Sequence, residues 1–173
     1  MLAVCILIVN CKTTVMNDYY IREIRQSDLE SFENIYTCSV LKCIQDVYNF
    51  DIAKFYLQVL ERGCLKRDLL EGTGYTVIIK ETDNPVAFII SNPQNYLSHL
   101  YCLPEFCRNG YATALINKLE AKSKQNVSYM YANASILSYP IFKKCGWINK
   151  AGLSYYNDNN WINYAYYPVY KYL

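Results

Sequence analysis

The sequence predicts a mixed α/β or α+β layer sandwich in the order β-α-α-β-β-β-α-β-α-β-β. Three observations carry that prediction. Apolar residues recur at helical spacing in some stretches and alternate in others, and the two patterns interleave along the chain. No linker rich in Gly, Ser or Pro divides the 173 residues, and 53% of them are hydrophobic, enough for one real core. A single glycine, Gly110, stands between a strand and a helix with almost no transition.

The elements follow in order. Residues 19–25 alternate as a strand does. Asp28 opens a helical stretch with Leu29, Phe32, Ile35 and Tyr36 on one face, and helix continues through Cys43. A second helix spans 51–62, with Ile52, Phe55, Tyr56 and Val59 at helical spacing. "YTVIIKE" (75–81) and "VAFII" (86–90), joined by "TDNP", form a hairpin. "NYLSHLYC" (95–102) is a third strand. Residues 110–124 are helical, with Ala112, Leu115, Ile116 and Leu119 as the apolar stripe. "SYMYANA" (128–134) is a strand. A short helix follows, tolerating Pro140 in its first turns and ending at Gly146 in a left-handed cap. The tail from Leu153 supplies two more strands.

Composition narrows the function classes. With 17 basic and 15 acidic residues the formal charge is only +2, which advertises neither nucleic acid nor an anionic membrane as a partner. The aromatic tail "YAYYPVYKY" lacks the cationic groove that goes with base stacking. Eight cysteines include no CxxC pair, and His99 is the only histidine, so no metal site is expected. Thiols scattered through apolar runs suit a reducing cytosol, and the chain is read as cytoplasmic. "LAVCILIV" is too short for a membrane span and lacks the flanks of a signal peptide. Residues 1–18 read as a non-essential extension and 19–173 as the domain, with Met16 as a natural start.

The junction at Gly110 is the first functional signal. A strand, a tight turn and an immediate helix leave backbone N–H groups pointing into one concavity. The helix dipole makes that end electropositive, which suits a phosphate or pyrophosphate. Gly110 allows close approach and an unusual backbone angle, and Ala112 is too small to block a ligand. A plain strand-to-helix turn would read the same way.

The wider stretch "LSHLYCLPEFCRNGYATALINKLE" resembles the acetyl-CoA-binding segment of the GNAT N-acetyltransferase superfamily. There a strand ending in Leu-Tyr-Val-x-Pro leads to a Gln/Arg-x-x-Gly-x-Gly/Ala loop that opens a helix. Cys102 takes the Val position, Pro104 the proline, and Gly110 and Ala112 the two small positions. Cys107 stands where Gln or Arg is usual, with Arg108 one residue later. "NASILSYPIFKKCGW" (133–147) is similar to the later helix and closing Gly-aromatic of a subgroup with an Ala-Ser…Phe-Phe-Glu…Gly-Phe pattern. "YIREIRQSDLESFENIY" and "DVYNFD" (46–51) resemble the same subgroup.

The resemblance implies a central, mostly antiparallel mixed sheet flanked by helices. It implies acetyl-CoA as co-substrate, no metal, and direct acetyl transfer to an amine of a small molecule or peptide by a monomer or homodimer. Its pyrophosphate loop maps to Cys107, Arg108, Asn109, Gly110, Tyr111, Ala112 and Thr113. Splayed strands that hold the pantetheine arm and carbonyl map to Leu100, Tyr101 and Cys102, opposite the 128–134 strand, with Ser135 also at the cofactor. The family often uses a Tyr-x-x-x-Gly-Phe tyrosine as general acid, and Phe142 stands there. Tyr139, three residues earlier, is the substitute candidate. His99 is the candidate base, since histidine titrates near neutrality. By alternation it shares a face with Leu97 and Tyr101. The departures at Phe142 and Cys107 motivate a second reading, a non-catalytic acyl-CoA binding or sensing module.

Overall fold

The computed structural model describes residues 3–4, 18–44, 47–157 and 163–173. Two sheets form the centre. Strands β2 (Tyr19–Glu23), β3 (Thr73–Ile79), β4 (Asn84–Ser91) and β5 (Leu97–Cys102) pair antiparallel in that order. β3, β4 and β5 are buried along nearly their whole length, which explains why they read as apolar runs rather than alternating. The second sheet has the order β1-β6-β8-β7, with β1 at Ala3–Val4, β6 at Tyr129–Ser135, β7 at Ser154–Asn157 and β8 at Asn163–Tyr172. Most of the expected 1–18 extension lies outside the described residues. Ala3 and Val4 pair parallel with Asn133 and Ala134 of β6.

Apolar layers cover both faces of the first sheet. Helix α1 (Leu29–Ser39), a π turn at Val40–Ile44, α2 (Phe50–Glu61) and α3 (Cys64–Glu71) cover one face, with aromatic rings from α1 and α2. Phe32 there stacks on Phe88 of β4 at 4.2 Å. α4 (Tyr111–Ser123) and α5 (Tyr139–Lys144) pack on the other face, around Leu100, Leu115 and Phe142. Gly146 has φ +80°, the expected left-handed cap. Trp147 then donates its indole N–H to Glu120 of α4 at 2.7 Å, which locks the end of α5 to the earlier helix.

The expected order omits α3. That helix has eight residues, and four of them are charged, so its apolar stripe is only Leu65 and Leu69. Asp28 does sit at the start of α1, but its carboxylate does not cap it. It takes a bidentate pair from Arg22 at 2.7 and 2.8 Å and the Arg25 amide at 2.8 Å.

One departure matters for the site. Ile90 pairs with His99 and the next residue, Ser91, pairs with Leu97, so Ser98 is an extra residue in β5. Strict alternation fails across this bulge. Leu97 turns to the α4 side with Leu100 and Cys102, while Tyr101 packs with the α1 aromatics. His99 lies among the α1-side rings of Tyr36, Phe88 and Tyr101, at 6.2–6.4 Å.

Candidate active site

β5 and β6 run side by side and touch at one end. Tyr96 bridges Tyr131 in parallel, and the Tyr131 amide donates to Asn95 at 3.2 Å. Among the described residues no further ladder joins them, and they open into a wedge toward Cys102 and Ser135. The edge of β5 along Leu100, Tyr101 and Cys102 faces that wedge.

At the open end a 3₁₀ turn (Pro104–Phe106) leads into two left-handed residues, Arg108 at φ +72° and Gly110 at φ +80°. Left-handed residues two apart turn successive N–H groups to one side. The first helical bond of α4 is Ala114 N–H to Gly110 at 3.0 Å. The amides of Tyr111, Ala112 and Thr113 precede it and point out of the helix end. Asn109 braces the loop by donating to the Phe106 carbonyl at 3.1 Å.

A cavity of about 300 Å³ opens here. Of the residues expected at the ligand, Cys102, Cys107, Arg108, Gly110, Tyr111, Ala112 and Thr113 line it. Leu100 and Tyr101 are buried on β5, short of it. Ser135 is buried at the end of β6 and bonds Ser138 at 3.1 Å. Sequence reasoning missed Phe106, Pro140, Ile141 and Lys144, which complete the walls. Lys144 had a signal: it lies one turn beyond Pro140, on the helix that carries the candidate acid Tyr139. The Tyr111 hydroxyl is buried and has no partner among the described residues.

Two thiols at or near this site are held above the ordinary thiol value. Cys102 is pushed up by its hydrogen bond with Cys107 and by burial, so it stays protonated. Cys145 is pushed up by burial. The expected acid positions also separate. Phe142 is fully buried against Trp147, ring centres 4.9 Å apart. Tyr139 is half-buried and stacks on Tyr167 of β8 at 3.9 Å.

His99 is buried, on the α1 side of β5. Its Nε2 lies 3.1 Å from Oδ2 of Asp68 on α3, a partner no sequence pattern indicated. Arg67 donates Nε and Nη2 to the other oxygen at 3.2 and 3.0 Å. Burial alone pushes the Asp68 carboxyl up. Hydrogen bonding and charge from His99, with help from Ser98 and Arg67, outweigh it and hold the group at about 2.

These observations meet the comparisons with known proteins. The acetyltransferase (GNAT) domain family matches residues 42–166. No curated protein matches the chain. Among solved structures, a GCN5-related N-acetyltransferase from Rhodopseudomonas palustris superposes with TM-score 0.79 at 18% identity, covering 93% of this chain and 99% of that one. PaiA N-acetyltransferase from Thermoplasma acidophilum, solved with coenzyme A, gives TM-score 0.71 at 14% identity over 90% and 99% of the two chains. The ribosomal-protein-S18-alanine N-acetyltransferase of Escherichia coli gives 0.62 at 12% identity over 88% and 92%. The family match spans well over half of the chain and coincides with the wedge and the helix-end cavity: the protein belongs to the GNAT acetyltransferases and is an acyltransferase that uses acyl-CoA.

Proposed function

We propose that the chain transfers an acetyl group from acetyl-CoA directly to an amine of a small molecule or peptide. The cavity of about 300 Å³ at the start of α4 carries this reading. Three outward amides and the cations Arg108 and Lys144 suit a pyrophosphate. Phe106, Pro140 and Ile141 suit an apolar arm. The backbone of Leu100, Tyr101 and Cys102 along the wedge then holds that arm and its thioester carbonyl. A main-chain N–H aimed at the carbonyl oxygen stabilises the charge that develops there.

His99 is the base in this reading and Tyr139 a minor acid. A thiolate leaving group needs less acid help than an alkoxide, because thiol pKa is only about 8.5. The E. coli relative named for a ribosomal protein keeps peptides beside small amines among the acceptors to be tried. One observation favours the binding-module reading: the fully buried Phe142 stands where relatives often carry a tyrosine.

The test is calorimetric titration with acetyl-CoA, followed by turnover across a panel of small amines and peptides. Gly110 sits at φ +80°, so Gly110→Val strains the loop and removes acetyl-CoA binding, with a lowered melting temperature in a chain that still folds. Unchanged affinity in that variant would move the ligand elsewhere. Firm binding with no turnover of any amine would favour the binding module.

A further inference from the structure

On the α1 side of β5, away from the helix-end cavity, lies a second polar site. Cys64, Arg67 and Asp68 of α3 face Asn92, Tyr96, Ser98 and His99 across a cavity of about 170 Å³. The bulge at Ser98 and the first five residues of α3 bring these groups together. His99 is 2% exposed and Asp68 5%. Both oxygens of the carboxylate are engaged: Oδ2 by His99 Nε2 and Oδ1 by Arg67. The other ring nitrogen, Nδ1, is buried with no hydrogen-bond partner among the described residues. A buried acceptor left unpaired is costly and rare in a native fold, so this one calls for a role.

We propose that Asp68 is a positioning residue that keeps the proton of His99 on Nε2 and so leaves Nδ1 as the lone-pair nitrogen of the ring, the base of the acyl-transfer reading. The proposal rests on the acyl-transfer reading above. An ionised carboxylate only accepts hydrogen bonds, so the nitrogen facing it must donate. In the neutral ring Nδ1 is then the lone-pair nitrogen. The carboxylate is held ionised by the hydrogen bonds it receives, and Arg67 keeps it in place from the solvent side, its own side chain 59% exposed. The remaining groups around the ring are Tyr36 of α1, Phe88 of β4, and Tyr96 and Tyr101. None of them carries a formal charge at neutral pH, so Asp68, with Arg67 behind it, sets the local field.

The step balances simply. The amine nitrogen bonds to the thioester carbonyl carbon, and the C–S bond breaks with its electron pair leaving on sulfur. The proton shed by nitrogen goes to Nδ1 of His99 and from there to solvent, where the thiolate recovers one.

His99 is the chain's only histidine, so imidazole ¹⁵N NMR of the intact protein reads this one ring without assignment work. The expected wild-type spectrum shows a neutral ring protonated on Nε2 and bare on Nδ1. Asp68→Asn removes that bias, and the Nδ1–H form appears. In turnover, Asp68→Asn lowers kcat on the order of 10²-fold with little change in the KM for acetyl-CoA. His99→Gln falls as far, and the double variant falls no further, because the two act as a unit. A wild-type ring protonated on Nδ1, or an Asp68→Asn protein with wild-type kcat, would overturn the proposal even if every variant folds poorly, since the first reading needs no variant. The spectrum is taken without acetyl-CoA. Failure of the wild type to bind acetyl-CoA would instead overturn the acyl-transfer reading, and the catalytic role given to Nδ1 with it.

Discussion

At the scale of single residues the ionised Asp68 has a consequence for acid stability. Its folded value of about 2 lies below the ordinary aspartate value of about 3.9. A depressed carboxyl contributes stability that is full above the unfolded value and is lost as pH falls through the folded one. The gap in unfolding free energy between the wild type and Asp68→Asn therefore narrows as pH falls from about 4 to about 2. Urea titrations of both proteins across that range check it. Tyr139 is the second residue with a defined expectation. Its ring is stacked on Tyr167, and a thiol leaving group asks little of an acid. Tyr139→Phe lowers kcat by about 10-fold, at the low end of what a general acid supplies, and leaves acetyl-CoA affinity intact. A loss of several thousandfold would make Tyr139 the principal acid.

At the scale of elements, Gly72 joins α3 to β3 where two backbones nearly touch. A methyl group there would lie 2.5 Å from the carbonyl oxygens of both Asp68 and Ser91. Gly72→Ala must push α3 off the end of β4, at a cost of about 1–3 kcal/mol, and it draws Asp68 away from His99. Thermal melting gives the first effect, and the imidazole spectrum of His99 the second. The elements differ in how far they could be read from sequence. α4 was legible because its apolar residues keep one helical period, and β3–β5 because they read as apolar runs. α3 was not, because Lys66, Arg67, Asp68 and Glu71 dilute its stripe, and one of those charges points inward. The bulge at Ser98 was equally hidden, since nothing in "YLSHLY" marks an extra residue. The helix-end cavity was legible at residue level because glycine spacing reflects backbone geometry. The Asp68–His99 pair joins positions 31 apart and exists only once α3 has packed.

At the scale of the whole molecule, the two sheets meet at Tyr96 and Tyr131 and part from there. The short strand β1 is paired to β6 at Asn133 and Ala134, inside that opening. An extended ligand arm held along β5 asks for the same opening from its other side. On the proposed function, β1 is then a tethered competitor for acetyl-CoA. Only molecules with the opening vacant are ready to bind, and the observed dissociation constant is the intrinsic one divided by their fraction. A chain beginning at Met16 has no such rival, so calorimetry should give it a tighter acetyl-CoA affinity with a nearly unchanged melting temperature. Equal affinities would mean that arm and strand do not share the opening.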